Sequence, residues 1–259
     1  MPRVAAPELE DFDWFPARLR DPMTGWLRVV SEVLGLSELA APIVAEELAR
    51  AGTDRIVDLC SGGGGPALSL VKTLAAKHAR ATHLTLTDKF PNEAAFRRAE
   101  RELPGRVTAR LLSTDATAVP EELTGVRTIF NAFHHLPPAV ATAVLADAAA
   151  KRQPIAMFEI VERSLQGAWM VAGIPLAVLG LMPFVRGLTP SALALTYALP
   201  LIPAATTWDG LASCLRAYSH DELREMTGAL ARPGYGFRVE RARVPWRPVY
   251  VTAVIGSPR

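Results

Sequence analysis

Four groups of residues in this 259-residue chain have types and spacings that could do chemistry. The first lies in "RIVDLCSGGGGP", residues 55–66, where an apolar run reaches Asp58 and four consecutive glycines follow, Gly62 to Gly65. Glycine is costly to order, so four together imply a turn that a Cβ would forbid, or a ligand lying against the backbone. The second is Asp88, which closes "THLTLTD" 24 residues beyond Gly64. The third is Asp115, which closes "RVTARLLSTD" and is followed by the small Ala116. The fourth is "NAFHHLPP", carrying Asn131, His134 and His135. A strand, a glycine turn and a helix form a nucleotide-binding layout, and an acid ending the next strand can accept hydrogen bonds from both hydroxyls of a ribose. Any one of these acids could be a solvated strand end. Three at successive strand ends point to one crevice at the carboxyl edge of a sheet. Histidine titrates near neutral pH and suits a proton acceptor, with strand capping as the alternative reading for His134 and His135. Glu159, in "PIAMFEIV", is a further acid–base candidate.

The elements that must position these groups are legible as alternation. "RIVDLC", "THLTLTD", "RVTARLLSTD", "RTIFNAF" and "PIAMFEIV" read as strands. "PALSLVKTLAAKHA", "NEAAFRRAERELPG" and "PAVATAVLADAAAKR" read as the helices between them. Strands alternating with helices predict βαβ units and a parallel sheet. "GFRVERARVPW" and "PVYVTAVIGS" are joined by a short turn, which forces an antiparallel pair because a parallel crossover needs more chain. Residues 8–50 predict two or three helices, one of them starting at a capping Ser37. The expected organisation is a single domain over 1–259. It comprises an N-terminal helical cap (8–52), a cofactor-binding core (53–163), a hydrophobic insertion (164–210) and a C-terminal helix and strand pair (211–259).

Composition narrows the function. Half of the residues are hydrophobic, the formal net charge is +2, and mean hydropathy is +0.18. No basic run tracks a phosphate backbone, so nucleic acid is not an expected partner. The two cysteines, Cys60 and Cys214, form no paired motif, which gives neither a disulfide framework nor a zinc site, and no other metal-ligand spacing stands out. With no signal-peptide pattern at the N-terminus, the expected setting is the reducing cytoplasm. The glycine turn lacks the GK[ST] of a phosphate-binding loop. None of the four tyrosines has a lysine four residues on, against a short-chain dehydrogenase.

The arrangement from Arg55 to about Val161, with the final strand pair, resembles the class I S-adenosylmethionine-dependent methyltransferases, of the bacterial small-molecule type. Asp58, Gly62 and Gly64 match the family's Asp-x-Gly-x-Gly-x-Gly motif, with Cys60 standing at its first glycine. "FDWFPARLRDPMTGWL" and "WDGLASCLRAYSHDEL" also look like segments of a bacterial subgroup. The resemblance implies a Rossmann-like α/β fold, with a seven-stranded, mostly parallel sheet and an antiparallel C-terminal strand pair. It implies S-adenosylmethionine as cofactor, with the glycine turn, Cys60 and Ser61 around its amino-acid arm and Asp58 holding the ammonium. Asp88, beside Lys89, would take the ribose, Asp115 with Ala116 the adenine, and Asn131 would border the sulfonium. The expected reaction is methyl transfer to a small, fairly hydrophobic acceptor, natural-product or lipid-like. Two other readings stay open: a protein that binds the cofactor without methyl transfer, pericyclic or regulatory, and a membrane-associated lipid-handling protein with a degenerate site.

The insertion is the second unusual feature. Arg163 and Arg186 enclose 22 residues without a charge, and 22 more separate Arg186 from Asp209. Each approaches bilayer-spanning length, and together they read as a helical hairpin with Arg186 and Gly187 at its tip. Three roles compete: a lid over an apolar acceptor pocket, a peripheral membrane contact through 164–208, and a membrane span. Trp14, Trp169, Tyr197, Trp208 and Tyr218 are candidates to touch the acceptor, and core packing is the alternative for each. Asp209 and Arg216 read as an internal salt bridge. The sequence does not specify an oligomeric state.

Overall fold

The computed structural model describes residues 2–259. In chain order the helices are α1 (Ala17–Val33), α2 (Leu36–Arg50), α3 (Gly65–His78), α4 (Glu93–Glu102), α5 (Pro138–Ala150), α6 (Leu165–Leu181), α7 (Pro190–Leu193), α8 (Leu201–Arg216) and α9 (His220–Ala229). The strands are β1 (Arg55–Asp58), β2 (His83–Leu86), β3 (Val107–Ala109), β4 (Val126–Phe130), β5 (Ile155–Glu159), β6 (Tyr235–Arg243) and β7 (Tyr250–Pro258). The chain forms two compact units: a helical unit of Met1–Leu34 and Val161–Ser219, and a sheet unit of Gly35–Ile160 and His220–Arg259.

The sheet unit holds one seven-stranded sheet in the order β3-β2-β1-β4-β5-β7-β6. Strands β1 to β5 run parallel, and β7 lies antiparallel between β5 and β6. The chain winds outward from β1 to β2 and β3, then returns to place β4 on the other side of β1. That reversal opens a crevice at the carboxyl ends of β1 and β4, where open α/β sheets take their ligands. The inner strands are mostly apolar and every residue of β4 and β5 is buried; the polar exceptions have partners, Arg127 with Asp147 at 2.7 Å, Thr128 with Asp58 at 2.6 Å and Glu159 with the Phe133 N–H at 2.7 Å.

Three expectations change here. The third strand ends at Ala109, so Asp115 lies in the loop six residues later rather than at a strand end. β3 is an edge strand with one neighbour, and its chain turns away so that the Thr114 N–H can bond the Asp88 carbonyl at 2.8 Å. Helix α2, expected in the N-terminal cap, belongs to the sheet unit and packs along α3. It starts at Leu36, one residue before Ser37, from Gly35 in the left-handed region (φ 75°), and the Ser37 hydroxyl accepts a bond from Thr73 instead.

The helical unit has its own core, in which Phe15, Met23 and Trp26 pack against Val178, Met182 and Ile202. The Trp26 indole N–H donates to the Ala177 carbonyl at 3.3 Å, tying α1 to α6. The apolar insertion is a hairpin of α6 and α8, with a 3-10 turn (Met182–Phe184), α7 and a π-helical turn (Ala194–Ala198) between them. Asp209 in α8 accepts the N–H groups of Leu9 (2.6 Å) and Glu10 (3.3 Å), and Arg216 pairs with Glu8 (3.2 Å) and Asp11 (2.5 Å). The two residues thus tie one N-terminal turn to α8. Burial, then the Asp209 charge, pushes the Glu10 carboxyl up to about 7. Leu165–Phe184 is long and apolar enough, by length and composition, to cross a membrane.

Candidate active site

The site is built on the turn after β1. Cys60 (φ 55°), Gly62 (φ 51°) and Gly64 (φ 71°) all adopt left-handed backbone, which folds the chain back on itself before α3 begins. Gly64 closes the turn by donating its N–H to the Ser61 carbonyl at 2.7 Å. A Cβ at Gly64 would press on Leu86, whereas one at Gly62 would meet no atom within 4 Å. Gly62 therefore leaves open space above the turn. The left-handed backbone also explains why glycine suits position 60, where a cysteine stands. For an L-residue that conformation costs roughly 1–2 kcal/mol. Cys60→Gly is expected to keep folding stability within about 1 kcal/mol despite losing a mostly buried side chain, and the β-branched Cys60→Val to lower it by about 2 kcal/mol. Urea unfolding of the three proteins checks this.

The three acids surround that turn in different states. Asp58 is buried beneath it and accepts a 2.6 Å bond from the Thr128 hydroxyl of β4. Burial pushes its carboxyl up to about 7, with the hydroxyls of Thr128 and Ser61 opposing and the charge of Asp88 adding to the rise. Asp88 binds the turn itself: Oδ2 accepts the Gly62 N–H and Oδ1 the Phe90 N–H, both at 2.9 Å. Asp115 Oδ1 accepts both the N–H (2.9 Å) and the hydroxyl (2.7 Å) of Thr117, while Oδ2 pairs with Lys89 at 3.0 Å. Those bonds hold its carboxyl down at about 2, the Thr117 hydroxyl contributing most. The Cys60 thiol is pushed up to about 12, first by burial and then by the charges of Asp88, Asp58 and Asp115. Hydrogen bonds link these groups in sequence: Asp88 holds the Gly62 N–H, the Thr114 N–H bonds the Asp88 carbonyl, and Lys89 next to Asp88 pairs with Asp115.

The end of β4 carries the second half of the site. Asn131 sits in the left-handed region (φ 48°), and its side-chain oxygen accepts the Ile160 N–H at 3.0 Å, tying the ends of β4 and β5 together. A 3-10 turn, Phe133–His135, follows. Glu159, buried at the end of β5, grips this turn with both oxygens: Oε1 accepts the Phe133 N–H at 2.7 Å, and Oε2 lies 2.6 Å from Nδ1 of the buried His134. His135 is exposed, its ring 4.3 Å from that of His134. A proton on Nδ1, shared with Glu159, puts the ring's lone pair on Nε2, an atom that is buried in this structure. A histidine oriented by a buried acid is an arrangement for moving a proton.

Several contributors escape a reading by motif. Thr128 and Thr87 are fully buried, and their hydroxyls bond Asp58, at the carboxyl and at the carbonyl (2.8 Å) respectively. In the sequence they are ordinary strand threonines. Phe90, two residues after Asp88, is 82% exposed, and Leu112 on the adjoining loop is 68% exposed. The Ser113 hydroxyl bonds the Lys89 carbonyl at 2.7 Å, which keeps the two loops together. Ala116 is buried beside Asp115. A separate cavity of about 390 Å³, lined by residues including Glu47, Arg50, Arg152 and Gln153, opens near the starts of β4 and β5 and shares no residue with the carboxylate crevice.

The other sequence candidates lie in the helical unit. Trp14 is exposed and stacks on Phe12, 5.4 Å between ring centroids. Trp169 is exposed on α6. The Tyr197 hydroxyl donates to the Leu179 carbonyl (2.7 Å), and the Trp208 indole N–H to the Pro7 carbonyl (3.0 Å). Tyr218 is buried, with the Arg3 guanidinium 4.6 Å from its ring centroid.

The plantazolicin methyltransferase BpumL, solved in complex with SAH, is similar to this chain with a TM-score of 0.52, covering 92% of this chain and 85% of that one at 11% identity. The fold is that of the class I methyltransferases. Two further likenesses are weaker. LepI in complex with SAM has a TM-score of 0.48 at 14% identity, over 83% of this chain. An O-methyltransferase family protein from Burkholderia thailandensis has a TM-score of 0.48 at 15% identity, over 87% of this chain. The chain spans 46% and 57% of those two proteins' lengths. No family model matches the sequence, and no curated protein matches it.

Proposed function

We propose that the protein is an enzyme that transfers a methyl group from S-adenosylmethionine to a small, fairly hydrophobic acceptor. One observation carries the reading: a glycine turn without a lysine follows β1 at the switch point of the sheet, with Asp58 beneath it, Asp88 bonded to its Gly62 N–H, and Asp115 tied to Lys89 beside Asp88. S-adenosylmethionine carries an ammonium, a diol, an adenine and a sulfonium but no phosphate. It suits acids better than the lysine of a phosphate-binding loop.

The residues fit such a group on two counts. The space over Gly62 is open, and each Asp88 oxygen, already accepting one N–H, keeps a second lone pair for a ribose hydroxyl. Asp58 and Ser61 would serve the ammonium, and the turn around Cys60, Gly62 and Gly64, with the first N–H groups of α3, the carboxylate. Asp115, held by Lys89, and Ala116 would face the adenine, with Phe90 offering a ring to stack on it. Asn131 would border the sulfonium. When bound, this cofactor supplies an electrophilic methyl group. His134, oriented by Glu159, would take the proton of an acceptor hydroxyl, and His135 stands beside it. Trp14, Trp169, Tyr197, Trp208 and Tyr218 stay candidates for the acceptor on their chemistry alone. Two free cysteines are in line with a cytoplasmic setting.

Calorimetric titration with S-adenosylmethionine and S-adenosylhomocysteine tests the reading, and it fails if neither binds the folded protein. The pH dependence adds a sharper expectation. Asp58 has its carboxyl raised from 3.8 to about 7 in the free protein. Its contribution to stability is therefore complete below pH 3.8 and is lost as pH rises through about 7. An ammonium beside it selects the ionised form. S-adenosylhomocysteine affinity is thus expected to fall towards about tenfold per pH unit below pH 7, and Asp58→Asn to flatten that slope.

A further inference from the structure

We propose that the outward face of the α6–α8 hairpin is a bilayer-docking surface, lying in the interfacial layer of a membrane without spanning it. The proposal concerns the helical unit alone and stands apart from the methyl-transfer reading.

A surface helix normally turns polar residues to water. Helix α6 and the turn after it do the opposite. Leu165, Trp169, Leu176 and Phe184 point outward with exposures of 75, 72, 75 and 69%. Between them the outward positions are Ala168, Ala172, Gly173, Leu179, Gly180 and Pro183, so the polar side-chain groups of this α6 face are the Trp169 indole and, at its margin, the half-buried Gln166. The spacing keeps these residues on one stripe for the whole 20-residue length of Leu165–Phe184, about 30 Å at 1.5 Å per residue. The four large side chains alone present roughly 500 Å² of apolar surface, in the upper part of the roughly 300–600 Å² range of a monomer's largest patch, which is often functional. Helix α8, packed along α6, leaves Leu201 and Trp208 exposed as well, the Trp208 indole N–H already donating to the Pro7 carbonyl.

The chemistry of the face selects the occupant. A protein partner needs polar groups to pair, about one hydrogen bond per 100–200 Å² with a polar rim. This stripe offers almost none. Hydrocarbon is the complement of an uncharged, donor-poor surface. Tryptophan prefers the headgroup boundary; Arg163, whose Nε–H donates to the Ala217 carbonyl at 2.6 Å, and the exposed Arg186 mark the two ends of the stripe in the chain. Residues 161–219 carry three arginines and two acids, a net of +1, too little to need anionic lipid.

The inner face explains why the hairpin lies on the bilayer. Val178 and Met182 are fully buried against Phe15, Met23 and Trp26, and Trp26 is bonded to the α6 backbone. Gly167 sits where a Cβ would collide with the Glu162 carbonyl. Moving α6 into the hydrocarbon would unpack that core and strip Asp209 of its two N–H partners on the N-terminal turn.

Flotation of the full chain with pure phosphatidylcholine vesicles, at 0.1 and 1 M salt, is the test. The protein is expected to float at both salt concentrations, with its partition changed less than about twofold by salt. The triple variant Leu165→Gln, Leu176→Gln, Leu201→Gln is expected to partition at least about tenfold less, because three apolar side chains leave the interface. Its urea midpoint and its affinity for S-adenosylhomocysteine should match the parent. The proposal is overturned if the protein stays unbound, if it needs anionic lipid or is released by salt, or if the variant floats as well as the parent. A solution dimer that the triple variant converts to monomer would overturn it in favour of a second copy. Loss of S-adenosylhomocysteine binding in every protein, with flotation intact, would remove the methyl-transfer reading and leave this one standing.

Discussion

Replacing His134 with glutamine is expected to lower methyl transfer by about 10²–10⁴-fold while leaving S-adenosylhomocysteine affinity within about twofold. Glutamine can still direct an N–H at Glu159, which holds the Phe133–His135 turn through two short bonds, so the turn should keep its place. What glutamine lacks is the basic lone pair that the neutral imidazole carries on Nε2. Transfer of labelled methyl to a panel of lipophilic phenols, read beside calorimetry of cofactor binding, separates the two effects. Turnover equal to the parent would remove His134 from the chemistry and return it to the role of a strand cap. Glu159→Ala is a harsher change. It leaves the Phe133 N–H and the His134 ring without their buried acceptor and should cost stability as well as turnover.

The second large effect is expected at Asp88. Asp88→Ala should weaken S-adenosylmethionine and S-adenosylhomocysteine alike by about 1–3 kcal/mol, roughly 5–150-fold. Two causes add. The ribose loses its charged acceptor, and the N–H groups of Gly62 and Phe90 lose theirs, so the turn must be ordered at the expense of binding. Asp88→Asn keeps one acceptor oxygen and should fall between. Equal affinity for parent and alanine variant would reject the placement of the ribose at this carboxylate.

Asp88 also shows what kind of information the sequence holds. Its position after an alternating strand and a glycine turn follows from local chain chemistry, and so do the strand–helix order and the antiparallel finish. That it folds back to bond Gly62 is a tertiary fact, since residues 26 apart meet only once β1 and β2 pair. Asp115 is the instructive miss. "RVTARLLSTD" has strand-like content throughout, yet an edge strand has one partner, and the chain leaves the ladder at Ala109 once nothing on the far side rewards extension. The His134–Glu159 pair joins residues 25 apart across neighbouring strands. Each residue alone was readable as an acid–base candidate. Their partnership required the β4–β5 register.

Strand β7 follows every other strand in the chain, yet it is an interior strand, held between β5 and β6. During synthesis the parallel half can assemble as it emerges, but the flank of β5 that carries Glu159 stays bare until Thr252 arrives to pair with it. The His134–Glu159 pair would then be among the last features to set. Pausing translation before residue 250 should leave a species with an open, sticky sheet margin, the kind of intermediate that chaperones retain.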